Sequence, residues 1–151
     1  MQIDGTGATV LDDDESMRLL AGVRMGRVAL TRDALRVILP VAFQLVGRDP
    51  VIRTGPGAVR EAGRRRSVLC LEADGCATDW SSGWSVLVTG RAELLTEPHV
   101  LAVVRRLALP DWRRTINGDD HDDIYVRIRT ELISGRRFET ALATRGGTVP
   151  A

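Results

Sequence analysis

The spacing of apolar residues predicts a mainly β protein: an antiparallel barrel of about six strands with short flanking helices. Three observations carry that expectation. Two long stretches, Leu35 to Leu45 and Trp84 to Leu94, alternate apolar residues with others at period two. The helical stretches between the strands are short and do not alternate regularly with them, as a doubly wound parallel sheet would require. Pro40 stands inside the first alternating run, and a residue with no N–H to give a ladder marks an edge, a bulge or a split in the sheet.

The elements follow in order. Asp12, Asp13 and Asp14 precede Glu15, Met17, Leu20 and Ala21, so acidic capping residues open an apolar stripe at helical spacing. A short helix from about Asp13 to Gly22 is expected, with Gly22 suited to end it. Strand patterning starts at Gly26, turns at Thr31-Arg32-Asp33, and resumes as Leu35, Val37, Leu39, Val41, Phe43 and Leu45. Gly47-Arg48-Asp49 is a turn, Pro50 to Thr54 a short strand, and Gly55-Pro56-Gly57 its end. Ala58 to Arg66 suits a short solvated helix, and Ser67 to Ala73 a strand.

Next, Trp84, Val86, Val88, Ala92 and Leu94 face one way and Ser85, Thr89, Arg91 and Glu93 the other, with Gly90 relieving the bend of a strand that curls around a small barrel. Thr96, Glu97 and Pro98 open a helix whose Val100, Val103, Val104 and Leu107 share one face. A polar loop through Asn117-Gly118-Asp119-Asp120 leads to a last long strand with Val126, Ile128 and Leu132 on one side. Ser134-Gly135-Arg136 is expected to turn that strand into a short return. The domain runs from 12 to 138, after a polar leader over 1–11 and before a flexible tail over 139–151.

Composition narrows the function classes. With 151 residues the chain is long enough for one core without disulfides or metals. A net charge of +1 creates no field that would recruit nucleic acid or anionic lipid. The arginines of 64–66, 105–106 and 113–114 lack interleaved aromatics, which make up only 4% of the chain, so nucleic acid is not an expected partner. No apolar run approaches a membrane span or a signal peptide, and the two cysteines, Cys70 and Cys76, read as reduced thiols; a cytoplasmic protein is expected.

Few residues suggest chemistry. Arg53-Thr54-Gly55-Pro56-Gly57 with Arg60 combines an arginine fork, a hydroxyl and glycine-exposed amides, the groups that bind a phosphate monoester. The competing reading is a strand-turn-helix corner with solvated arginines. Trp84-Ser85 after Ser81-Ser82-Gly83 could flank a planar ring and hold its polar edge, or could simply close the barrel end. The acidic run Gly118 to Asp123 reads as a solvated loop rather than a metal site, and none is expected elsewhere. His99 has no triad partner in view, so nucleophilic hydrolysis has no support, and no catalytic side chain is assigned.

In this order GRVALTRDALRVILPVAFQL, VIRTGPGAVR, SGWSVLVTGRAELL and YVRIRTELISGRRF resemble the actinobacterial pyridoxamine 5′-phosphate oxidase-like split-barrel proteins that bind FMN, from about Asp12 to Phe138. The resemblance implies a split β-barrel homodimer with a flavin, usually FMN, in a groove at each dimer interface. Pro40, Val41, Ala42 and Phe43 would then lie along the isoalloxazine, Arg53 and Thr54 would hold the phosphate with Gly57 and Arg60 nearby, and Trp84, Ser85 and Val86 would line the pocket. Many members carry Ser or Thr followed by Lys after the glycine turn, whereas Ala58-Val59 stand here, so two phosphate contacts are missing. That departure leaves a deazaflavin or haem as alternative cofactors. The activity implied is a flavin-dependent oxidation or reduction of a small molecule; the alternative is a flavin carrier without turnover, or a barrel that has lost its ligand.

Overall fold

The structure, a computed structural model, describes residues 2–110 and 123–140. Among them are β1 (Gln2–Ile3), β2 (Thr9–Leu11), α1 (Asp13–Ala21), β3 (Met25–Arg32), β4 (Leu35–Val46), β5 (Asp49–Thr54), α2 (Ala58–Arg65), β6 (Val68–Cys76), β7 (Ser82–Leu94), α3 (Pro98–Arg105) and β8 (Ile124–Glu139). Every strand pairing is antiparallel. The order is β1-β2-β8-β5-β4-β3-β6-β7, and β7 also pairs β8, so β3 to β8 close into a ring. The six strands predicted are these six; β1 and β2 are short additions from the leader, with Leu11 opposite Gly135.

The inward side chains of the ring make the core. Phe43, Leu69, Leu71, Val86, Val88 and Ile128 are fully buried, and each removes enough apolar surface from water to stabilise the fold by about 1.5–3 kcal/mol. α1 closes one side: the Asp12 carboxylate accepts from the Glu15 amide at 2.8 Å, and Met17 and Leu20 point into the core. Gly22 ends the helix as predicted, in a right-handed conformation.

α3 covers a second apolar cluster of Val51, Leu95, Val104, Leu109 and Tyr125. Val100, Val104 and Leu107 of its predicted stripe pack there, and Val103 does not. Val103 is 53% exposed while Leu101 packs on the cluster, and the helix starts from Glu97 with no side-chain cap.

β7 and β8 hold the largest correction. No turn occurs at Ser134-Gly135-Arg136; β8 runs through it as one strand of 16 residues. The register shifts between Thr89 and Gly90: Gly90 faces Thr130 and Thr89 faces Leu132, leaving Glu131 as the extra residue of a bulge. Alternation therefore changes sides at that point. Val126 and Ile128 are buried before it, Gly135 after it, and Leu132, expected on the inner face with them, is 69% exposed. Gly90 permits the close approach, since a Cβ there would lie 1.6 Å from the Arg129 carbonyl oxygen.

Candidate functional site

Pro40 marks the place where the sheet divides. β4 pairs with β3 from Leu35 to Ala42, with Pro40 opposite Arg27, but pairs with β5 only from Phe43 onward. β5 meanwhile turns to β8, with Arg53 opposite Tyr125 and Thr54 opposite Ile124. The sheet opens between Ala42 and Arg53, and a cavity of about 230 Å³ lies in the opening. Of the predicted site residues, Pro40, Val41, Ala42, Arg53, Thr54 and Gly57 line it together. Ala58 and Val59, at the start of α2, form its far end.

The cavity is apolar along β4 and polar at the turn. Among its described lining residues Arg53 is the only charged one, and none is His, Cys, Asp, Glu, Lys or Tyr. Such residues bind and orient; among those described, none is an ordinary general acid or base. Arg53 is held from behind. Its Nε donates to Asp123 Oδ1 at 3.1 Å, its Nη2 also meets that oxygen, and its Nη1 donates to the Leu109 carbonyl at 2.8 Å. The Thr54 hydroxyl makes only a long contact with the Gly55 carbonyl, 3.5 Å, and is weakly committed. Gly57 has φ 147°, and the space where a Cβ would project is open to at least 4 Å.

Other predicted residues stand elsewhere. The Phe43 side chain is fully buried, its ring against Gly26, so only its backbone can meet a ligand. Val86 is likewise in the core, and Arg60 is exposed and outside the cavity wall. Trp84 lines a different hollow of about 630 Å³, with Gly75, Cys76 and Arg137; Ser85 lies opposite Asp74 and Arg136. Within one chain, therefore, the Trp84-Ser85-Val86 stretch does not join the Arg53 cavity: in the ring of six strands β7 lies three strands from β4 in either direction and two from β5.

Sequence reasoning missed Asp123, Leu109 and Pro110. Asp123 belongs to the acidic run read as a solvated loop, of which 118–122 lie outside the described residues. Only its distance in sequence from Arg53 hid the pairing. Among the described residues, no three of His, Cys, Asp and Glu gather as a metal site.

Comparison with known proteins agrees with this architecture. The family model for pyridoxamine 5′-phosphate oxidase matches residues 12–137. This chain belongs to the pyridoxamine 5′-phosphate oxidase family. An uncharacterised protein from Mycobacterium tuberculosis is 37% identical over 133 residues, covering 85% of this chain and 84% of that one. The solved FAD-binding protein of Mycobacterium smegmatis superposes with a TM-score of 0.72 at 30% identity, covering 87% of this chain and 99% of its own. A FAD-binding protein of Mesorhizobium loti, at 22% identity and a TM-score of 0.69, covers 87% of this chain and 99% of its own; it shares the fold. The family's split barrel is the one seen here, with the split at Pro40 to Ala42.

Proposed function

We propose that this chain binds a flavin in the cavity between Pro40-Val41-Ala42 and Arg53-Thr54, and serves as a flavin-dependent oxidoreductase for a small molecule in the cytoplasm. The observation that carries the reading is the composition of that cavity: an apolar strand edge facing a single arginine, a weakly committed hydroxyl and an open glycine turn. That donor set suits a flat, largely apolar ring carrying a phosphate on a short chain. The relatives that bind FAD by their descriptions support the same ligand class.

The flavin would supply the transfer of electrons between a donor and an acceptor; the chain's own residues bind and orient it. Arg53 and Thr54 would hold phosphate oxygens. The β4 edge would lie along the ring and exclude water from one side.

A homodimer belongs to this proposal. On the outer face of the sheet the register aligns Ile38, Ala29, Cys70, Thr89 and Leu132 in one row across five strands. Ile38 and Leu132 at its ends are 67% and 69% exposed, an apolar cost that a second copy would remove. A second copy is also the means by which Trp84 and Ser85 could reach the groove of the first. No helix of the described residues is long and apolar enough to cross a membrane.

A carrier without turnover is the second reading, favoured by the Arg53–Asp123 pairing and by Val59 standing where many members have lysine. The two readings separate in one comparison. Mixed with a nicotinamide donor and an electron acceptor, the loaded protein should cycle its flavin faster than free flavin does; equal or slower cycling would favour the carrier.

A further inference from the structure

The hollow beside Trp84, about 630 Å³, shares no lining residue with the Arg53 cavity. Trp84, Arg137 and Glu139 line it together with the smaller Val23 and Ala77. Trp84 stands directly opposite Arg137 in the β7–β8 register, so the two side chains leave the sheet on one face with Cβ atoms about 5 Å apart. Gly75, paired with Trp84 from the other side, gives the indole its place: a Cβ at 75 would lie 2.7 Å from Nε1 and 2.9 Å from Cε2. The pyrrole edge of Trp84 thus occupies the space of a missing side chain, and among the described residues its N–H has no acceptor.

Arg137 is 39% exposed and donates through Nη2 to Glu15 Oε1 at 2.6 Å. Glu15 also pairs with Arg18, so one carboxylate stands against two guanidinium groups and positive charge is left over beside the indole N–H. A carboxylate accepts from both donors. Glu139 stands two residues along the same face of β8, roughly 7 Å away along the strand, and pairs with no cation among the described residues. It would repel a phosphate dianion at Arg137, whereas it would hold an ammonium group carried next to a carboxylate.

We propose that this hollow is a second ligand site, which binds an α-amino acid as its zwitterion. The carboxylate lies on Trp84 Nε1 and the Arg137 guanidinium, the ammonium on Glu139, and the apolar side chain against Val23 and Ala77. The site stands apart from the flavin reading, because the Arg53 cavity contributes nothing to it.

The test is a ligand-observed NMR titration of the full-length protein with L-phenylalanine, 3-phenylpropionate and 2-phenylethylamine, of which the last two each lack one of the charges. L-Phenylalanine should bind, and each analogue about tenfold more weakly. Glu139→Gln should weaken L-phenylalanine about tenfold and leave 3-phenylpropionate as it was or tighter. Trp84→Phe, which keeps a ring and removes the N–H, should weaken L-phenylalanine and 3-phenylpropionate alike. Should that variant fail to fold, the three ligands on the unaltered protein still decide. No binding of L-phenylalanine up to about 10 mM, equal affinity for 3-phenylpropionate, or full affinity in Glu139→Gln would overturn the zwitterion site.

Discussion

Asp123 and the cavity compete for the same guanidinium: Arg53 Nε donates to Asp123 Oδ1 at 3.1 Å, while Nη1 is tied to the Leu109 carbonyl at 2.8 Å. The arginine is 23% exposed and the aspartate 36%, so solvent screens the pair only in part. A ligand phosphate approaching Arg53 must share a cation already balanced by a carboxylate. Asp123→Asn keeps an oxygen to orient the fork and removes the charge. Flavin binding should tighten about threefold to tenfold, read by fluorescence titration. Weaker binding would show that the charge of Asp123 serves the ligand by positioning Arg53.

Val59 is 4% exposed and belongs to the core, yet it lines the cavity. A lysine in its place would bury its stem and reach the cavity with its ammonium. Val59→Lys should tighten FMN binding about tenfold. The same change should cost about 1–2 kcal/mol of stability, a lowering of Tm by a few degrees, because a packed valine is lost. Unchanged affinity would count against the phosphate's placement near the start of α2.

Leu132 tests the second copy. Leu132→Asp places a charge at the end of the exposed apolar row, where a partner would have to bury it. The unaltered protein should sediment as a dimer and the variant as a monomer with an unchanged far-ultraviolet circular dichroism spectrum. A monomer in both would remove the dimer from the account.

Glu61 sets an acid limit on α2. The hydrogen bond from Arg64, then that from Arg65, holds its carboxyl at about 2, against an ordinary 4.5. A carboxylate depressed in the folded state contributes stability above its unfolded value and loses it as pH falls through the folded one. The contribution should therefore be present above pH 4.5 and fade between 4.5 and about 2. A carbon-detected titration should place the Glu61 midpoint near that lower value, and Glu61→Gln should flatten this part of the pH profile. A midpoint at 4.5 would mean the arginines do not hold it.

Much of this fold was legible in the sequence because its signals are local. Asp12 and the stripe after it fix α1, and period two fixes β4 and β7 nearly to their ends. Pro40 announced the split for a physical reason: a residue without an N–H stands where β4 has no partner on the β5 side. What stayed hidden depends on residues far apart in sequence. The bulge opposite Gly90 reverses the facing of β8, so Ser134-Gly135 resembles a turn while lying within a strand. The leader pairs with that same region, Leu11 against Gly135, which no pattern in either segment indicates.

The candidate site divides in the same way. Arg53 to Gly57 is contiguous and could be recognised as a phosphate corner; Pro40 to Ala42 joins it through the neighbouring hairpin. Pro110 lines the same cavity and Asp123 meets Arg53 from more than fifty residues further along the chain, and Trp84 lies outside the cavity within one protomer.

The central claim is that the Arg53 cavity holds a flavin. Its most direct test is the absorbance spectrum of the protein and of Arg53→Gln, each mixed with FMN or FAD and freed of unbound ligand by gel filtration. The account predicts that the unaltered protein retains the near-ultraviolet and blue bands of oxidised flavin, and that the variant loses at least about tenfold in affinity and emerges largely colourless. A colourless unaltered protein, or equal retention by the variant, would contradict it.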